Sequence, residues 1–120
     1  MRAESESASD APLKTNWFHI LLCLADSEQH GYAIMREVLE RTDGTVRLWP
    51  ATLYGALRRL VEAGLIEESG GQPATDDMRR RFYRLTPEGR RVIAAEIRRL
   101  ETLLRAARAK GRSLKTEPTS

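Results

Sequence analysis

The sequence has few of the side chains that build metal, redox or catalytic sites. It holds one cysteine and two histidines in 120 residues, which excludes an intramolecular disulfide and a cysteine-based metal cluster. That cysteine, Cys23, stands in the apolar run 20–24 and is expected to be a buried thiol rather than a redox switch. No Ser-His-Asp group, glycine-rich phosphate loop or carboxylate pair in an apolar setting is apparent. We therefore expect no enzyme activity, no metal and no cofactor.

Long apolar runs are also missing. None approaches the ~20 residues of a membrane-spanning helix, so we expect no membrane partner and a location in the cytoplasm. Residues 1–12 and 111–120 hold few large apolar side chains and are predicted to be disordered tails. The remaining residues, 13–110, have the length of one domain.

Acidic residues are absent from two segments that are rich in arginine. Residues 47–60 contain Arg47, Arg58 and Arg59 without an acid, although the net charge of the whole chain is only +3. Residues 79–84 contain four arginines without an acid. Basic residues that are concentrated in a few segments indicate phosphate binding more strongly than net charge does.

The spacing of apolar residues predicts four helices and two strands. The helices are expected at 16–25, at 32–41, from Pro50 to about residue 63, and from Pro87 to 110; the strands are expected at 65–68 and 81–85. Thr15 or Asn16 is expected to cap the first helix and Thr86 the last, and Gly64 to end the third. The order predicts a mainly α protein: a winged helix-turn-helix with a two-stranded wing and a long C-terminal helix.

The third helix has a second face that is suited to DNA. With its leucines turned inward, Thr52, Tyr54, Arg58 and Arg59 are expected to lie outside. A recognition helix contacts base edges in the major groove with its N-terminal residues, and the Thr52 hydroxyl can donate or accept a hydrogen bond there. Tyr54 and Arg58 are one turn apart and suited to hold a phosphate or a base together. A solvated helix face is the alternative interpretation.

The predicted wing carries three consecutive arginines, Arg79, Arg80 and Arg81. Adjacent cations repel one another, and a polyanion relieves this repulsion because each guanidinium can bind a phosphate through two hydrogen bonds. A loop that is merely polar is the alternative. Two basic segments at the two places that a winged helix presents to DNA favour sequence-specific DNA binding over a module that binds only protein.

The last predicted helix carries a heptad stripe of apolar residues. Its members are Ile93, Ile97, Leu100, Leu104 and Ala107. The stripe can pack on the first helix of the same chain or on a second copy, and we favour the second copy because an uncovered apolar stripe marks an interface. A homodimer would place two recognition helices ~34–36 Å apart and predicts a palindromic operator.

Four segments occur together in a combination that resembles the PadR-like transcriptional regulators. They are His30-Gly31-Tyr32, Trp49-Pro50-Ala51-Thr52-Leu53-Tyr54, Leu57-Arg58-Arg59-Leu60 through Gly64-Leu65-Ile66, and Tyr83-Arg84-Leu85-Thr86-Pro87-Glu88-Gly89. The resemblance covers about residues 17–104. The resemblance is to the short branch of that family, since we expect no extended C-terminal helical domain of the kind that the longer branch has.

The resemblance implies a winged-helix homodimer that represses transcription and is released by a small-molecule effector. It implies that the first and last helices build the dimer, with Trp17 and Leu21 on the first, and that Tyr32 contacts a phosphate. The sequence departs from the family at Trp49, where a small capping residue is common, and we expect the indole to pack as a staple over the start of the helix. No aromatic residue follows Tyr83, so the tryptophan sandwich that holds flat ligands in drug-binding members is not expected.

Overall fold

The computed structural model describes residues 12–69 and 81–114 of the chain. These residues form four helices: α1 (Thr15–Cys23), α2 (Gly31–Arg41), α3 (Pro50–Glu62) and α4 (Pro87–Leu114). They also form three short strands: β1 (Gln29–His30), β2 (Ile66–Glu68) and β3 (Phe82–Leu85). The predicted fold class, a mainly α winged helix-turn-helix with a long C-terminal helix, is confirmed.

The structure describes only part of the two predicted disordered tails. Helix α4 continues to Leu114, so the predicted helix end at residue 110 is wrong and the first residues of the predicted C-terminal tail are helical. The rest of that tail, 115–120, and residues 1–11 lie outside the described residues.

The sheet is antiparallel and has the strand order β1-β3-β2. Ile66 lies opposite Leu85 in the predicted hairpin, and Gln29 lies opposite Tyr83 at the other edge of β3. The two-residue strand β1 was not predicted, because residues 26–31 are polar and have the composition of a turn. Its pairing with β3 fixes the start of α2 to the wing.

The core is aliphatic and draws on α1, α2, α3, the sheet and the first half of α4. Its fully buried members are Ile20, Leu21, Cys23, Leu24, Ile34, Val38, Leu53, Leu57, Leu60, Ile66 and Tyr83. Burial of such side chains stabilises the fold because apolar surface leaves water, by roughly 25 cal/mol per Å². Burial also raises the pKa of the Cys23 thiol to about 11, so the thiol is protonated at neutral pH and the predicted buried cysteine is confirmed.

The first and second helices begin differently from the sequence prediction. Helix α1 starts after Lys14 without a side-chain hydrogen bond to its first turn, so capping by Thr15 or Asn16 is wrong. Helix α2 is capped by His30, whose Nδ1 accepts a hydrogen bond from the backbone N–H of Ala33 at 3.1 Å. Capping by His30 was not predicted from the sequence, where this residue stands only in the segment His30-Gly31-Tyr32.

The start of α4 is held against the end of α3 by two glycines and a threonine. Gly64 has a φ of +78° and ends α3 in the left-handed region that glycine adopts without strain. The hydroxyl of Thr86 accepts a hydrogen bond from the N–H of Gly89 at 3.0 Å, as predicted, and donates one to the carbonyl of Gly64 at 2.6 Å. A Cβ on Gly89 would lie 1.9 Å from the carbonyl oxygen of Leu65, so only glycine permits this approach.

A polar network fixes α2 to α1 and thereby sets the position of the helix-turn-helix. The guanidinium of Arg41 donates to the carbonyl of His19 at 3.1 Å and to the Glu37 carboxylate at 2.7 Å. The amide of Gln29 donates to the carbonyl of Cys23 at 2.8 Å and to Glu37 at 2.9 Å. The end of α1, strand β1 and α2 are therefore held as one unit.

Candidate nucleic-acid interface

Helix α3 has one buried and one exposed face. Leu53, Ala56, Leu57 and Leu60 are buried. Thr52, Arg58 and Arg59 are exposed, together with Ala51 in the first turn. Thr52, Arg58 and Arg59 therefore lie on the outside of the helix, as expected. Their contact with DNA stays a prediction.

Tyr54 does not lie outside as predicted. It is half-buried, and its hydroxyl oxygen is buried. Its ring packs against the first residue of α2, since a Cβ on Gly31 would lie 2.8 Å from the Tyr54 Cε1. The sequence does not predict this position, because helical periodicity describes one helix and not the glycine on a neighbouring helix that makes room for the ring. Tyr54 therefore contributes to the spacing between α2 and α3, and its predicted contact with DNA stays a prediction.

The wing contributes one described member of the predicted arginine triplet. Arg81 forms an ion pair with Glu68 across the hairpin at 3.1 Å, and Arg84 forms one with Glu67 at 2.8 Å. Arg79 and Arg80 lie outside the described residues. Exposed ion pairs contribute little to stability, so a phosphate can replace the Glu68 carboxylate at Arg81 at small cost.

The residue before α3 departs from the predicted staple. The side chain of Trp49 makes no capping hydrogen bond, as expected for an indole. It is 62% exposed, so it does not pack over the start of the helix as the predicted staple would. The guanidinium of Arg47 lies 5.0 Å from the centre of its ring. Tyr32, the predicted phosphate contact, is also exposed at the start of α2. These side chains border a groove that was not predicted from the sequence, although Arg47 stands only two residues from Trp49.

The predicted dimerisation residues separate into two groups. Leu21 is fully buried and Ile93 is 4% exposed, both in the core of their own chain, so their assignment to a dimer interface is wrong. Trp17 is half-buried and packs against the same core. The alternative interpretation, packing of α4 on α1, therefore holds for the first part of the heptad stripe.

The rest of the stripe is open. Ile97 is 36% exposed and Leu104 49% exposed, Leu103 beside them is exposed, and Leu100 is half-buried. From residue 101 to 110 every side chain of α4 is exposed. This half of the helix has no covering element among the described residues.

A partly buried ion pair lies at the boundary between the packed part and the open part of α4. The Glu96 carboxylate accepts two hydrogen bonds from Arg99, at 2.9 and 2.6 Å, and Glu96 is only 6% exposed. The hydrogen bonds from Arg99 hold the pKa of Glu96 below its ordinary value, against burial, and a backbone hydrogen bond from Leu13 adds to this effect. Glu96 thus attaches the segment before α1 to α4.

A helix-turn-helix followed by a β-hairpin, with arginines on the exposed face of its second helix, defines a winged-helix protein. The model of the transcriptional regulator PadR-like family matches residues 20–95, and the chain belongs to this family. It is a transcriptional regulator of the winged-helix type, not an enzyme. Among the described residues, none of the helices has the length and apolar composition to cross a membrane.

Known relatives agree with this assignment. The transcriptional regulator Rv3488 of Mycobacterium tuberculosis is 39% identical over 87 residues, which cover 72% of this chain and 77% of that protein. The structure of a transcriptional regulator from Clostridium thermocellum is similar with a TM-score of 0.64 and 28% identity, over 78% of this chain and 87% of that one. The RosR protein of H. salinarum has a TM-score of 0.58 and 28% identity, over 88% and 93% of the two chains.

Proposed function

We propose that this chain is a sequence-specific DNA-binding repressor that works as a homodimer in the cytoplasm. The observation that carries the proposal is the exposed face of α3, on which Thr52, Arg58 and Arg59 lie opposite a fully buried leucine face. With this face in the major groove, Thr52 contacts base edges and the two arginines bind bases or phosphates. Arg81 and its neighbours on the wing add phosphate contacts, which position the protein without specifying sequence.

The open half of α4 supports the dimer. Ile97, Leu100 and Leu104 continue the heptad spacing on a surface that no described element covers, and a second copy with the same stripe is a self-complementary partner. A twofold axis along this stripe presents two copies of α3 to one face of the duplex. Occupancy of the operator by this dimer represses transcription, and a small-molecule effector that changes the dimer geometry releases it.

The test begins with selection of bound duplexes from a random pool, using the full chain. We expect a palindromic site whose half-sites are about 10 base pairs apart, centre to centre. Recovery of unrelated sequences would contradict specific recognition and would favour a winged-helix module that binds protein.

The selected duplex then serves in titrations by fluorescence anisotropy over a range of salt concentrations. Arg58→Ala and Arg59→Ala are each expected to weaken binding by about tenfold, and loss of one phosphate contact lowers the salt slope by about 0.9. Arg105→Ala, which removes the same charge from an exposed position on α4, is the matched control and should leave affinity unchanged. Thr52→Ala should change the preferred sequence.

A further inference from the structure

A groove of about 220 Å³ lies between α2 and the segment that leads into α3. We call it the indole groove. The residues that line it are Tyr32, Met35, Arg36, Leu39, Arg47, Leu48, Trp49 and Pro50. Met35 and Leu39 are half-buried and Leu48 is buried, so the floor is apolar, whereas Tyr32, Arg36, Arg47 and Trp49 are exposed at its rim.

The charged side chains that line the indole groove are all positive. Two of the lining residues are arginines and none is acidic. Within the described part of the chain, Arg36 forms no ion pair, and the guanidinium of Arg47 lies over the ring of Trp49. This differs from Arg81, Arg84 and Arg99, each of which is paired with a glutamate. The two guanidinium groups of the groove are therefore available to an anion.

Trp49 gives the groove a second property. Its indole is 62% exposed, and a serine, threonine or aspartate at this position would cap α3 where tryptophan does not. The contact with Arg47 restricts the orientation of the ring through a cation–π interaction. The indole N–H is a hydrogen-bond donor, and it is carried by the residue that directly precedes the exposed first turn of α3.

We propose that the indole groove binds the sugar–phosphate backbone of DNA next to the bases that α3 contacts. Arg36 and Arg47 bind the phosphate oxygens, the indole N–H donates to the same phosphate, and the indole ring and Met35 contact the deoxyribose. The inference rests on the proposed DNA binding and extends it to three residues, Arg36, Arg47 and Trp49. Charge complementarity and direct continuity with Pro50, Ala51 and Thr52 favour this occupant.

Fluorescence of Trp49 tests the contact directly. The chain has two tryptophans, so Trp17→Phe leaves Trp49 as the sole emitter. Titration with the selected duplex, and with a random-sequence duplex of equal length, should change the intensity or the wavelength of its emission in parallel with the anisotropy signal. Unchanged Trp49 emission while anisotropy reports complete binding would overturn the inference and leave the proposed function standing.

Affinity measurements on single variants of the wild-type chain provide a second test that does not need the Trp17→Phe substitution. Trp49→Ala and Arg47→Ala should each weaken binding about tenfold, by a similar factor for the selected and the random duplex, because backbone contacts carry no sequence information. Arg47→Ala should also lower the salt slope by about 0.9. Trp49→Phe should lie between the wild type and Trp49→Ala, and Arg105→Ala again serves as the charge control. Unchanged affinity in both alanine variants would overturn the inference, whereas failure of the wild type to bind any duplex would overturn the proposed function itself.

Discussion

The ring of Tyr54 on α3 lies so close to Gly31 on α2 that a Cβ on the glycine would be 2.8 Å from the Tyr54 Cε1. Both residues are partly or fully buried, and the contact lies between the two helices of the helix-turn-helix. The angle at which α3 is presented therefore depends on the absence of a side chain at position 31.

Gly31→Ala is expected to destabilise the protein by about 1–3 kcal/mol, because the ring must move within a packed contact. Urea unfolding followed by circular dichroism measures this change. Gly111→Ala is the matched control, since a Cβ there meets nothing within 4 Å and alanine is the better helix former by roughly 1 kcal/mol. Equal effects of the two substitutions would show that the Tyr54 contact does not limit the approach of α2 and α3.

The same contact illustrates what the sequence can and cannot predict. The leucine spacing of α3 was sufficient to place Thr52, Arg58 and Arg59 outside, because helical periodicity depends on one segment only. The same spacing could not predict the position of Tyr54, which depends on a glycine on α2. Strand β1 was also not predicted, because its two residues are extended only through their pairing with β3. The preferences of residue types for turns and helix caps correctly predicted the roles of Thr86 and Gly64. They did not predict how α1 begins.

The sequence pattern also could not predict that α4 has one part packed on α1 and one open part. The heptad spacing is the same from Ile93 to Leu104, so the pattern cannot distinguish the part that packs on α1 from the part that is open. Only the direction of α4 relative to α1, which Gly89 and Thr86 fix at its start, makes that distinction.

The Glu96–Arg99 pair should make stability depend on acid pH. The pKa of Glu96 is lowered in the folded state from its ordinary value of 4.5, so its contribution is fully present above about pH 4.5 and is lost as the pH falls through the lower folded-state pKa. Glu96→Gln should destabilise the protein by about 1–3 kcal/mol at pH 7, with a difference from the wild type that shrinks below pH 4.5. Urea titrations across pH 3–7 measure this difference, and Glu101→Gln, at an exposed position on the same helix, is the control for the substitution itself.

The thiol of Cys23 should be unreactive in the folded protein. It is fully buried, and its pKa of about 11 leaves almost no thiolate at pH 7.5. Alkylation by iodoacetamide should be slower than in the urea-unfolded chain by a factor on the order of 100 or more, with the rate set by opening of the structure. Rapid labelling under native conditions, followed by mass spectrometry, would contradict the buried position and restore the redox interpretation.

Two substitutions in one apolar stripe are expected to have different consequences, because the stripe packs on its own chain at one end and is open at the other. Ile93→Ala should lower the free energy of unfolding by about 2–5 kcal/mol, since it leaves a cavity in the core. Leu104→Asp should leave the circular dichroism spectrum unchanged and convert a dimer to a monomer in sedimentation velocity, because a charge at a dimer contact is buried without a partner. Thr102→Asp, at an exposed position outside the stripe, is the control for added charge. If Leu104→Asp sedimented like the wild type, the open half of α4 would not be the dimer interface, and the twofold arrangement of the recognition helices would need another contact surface.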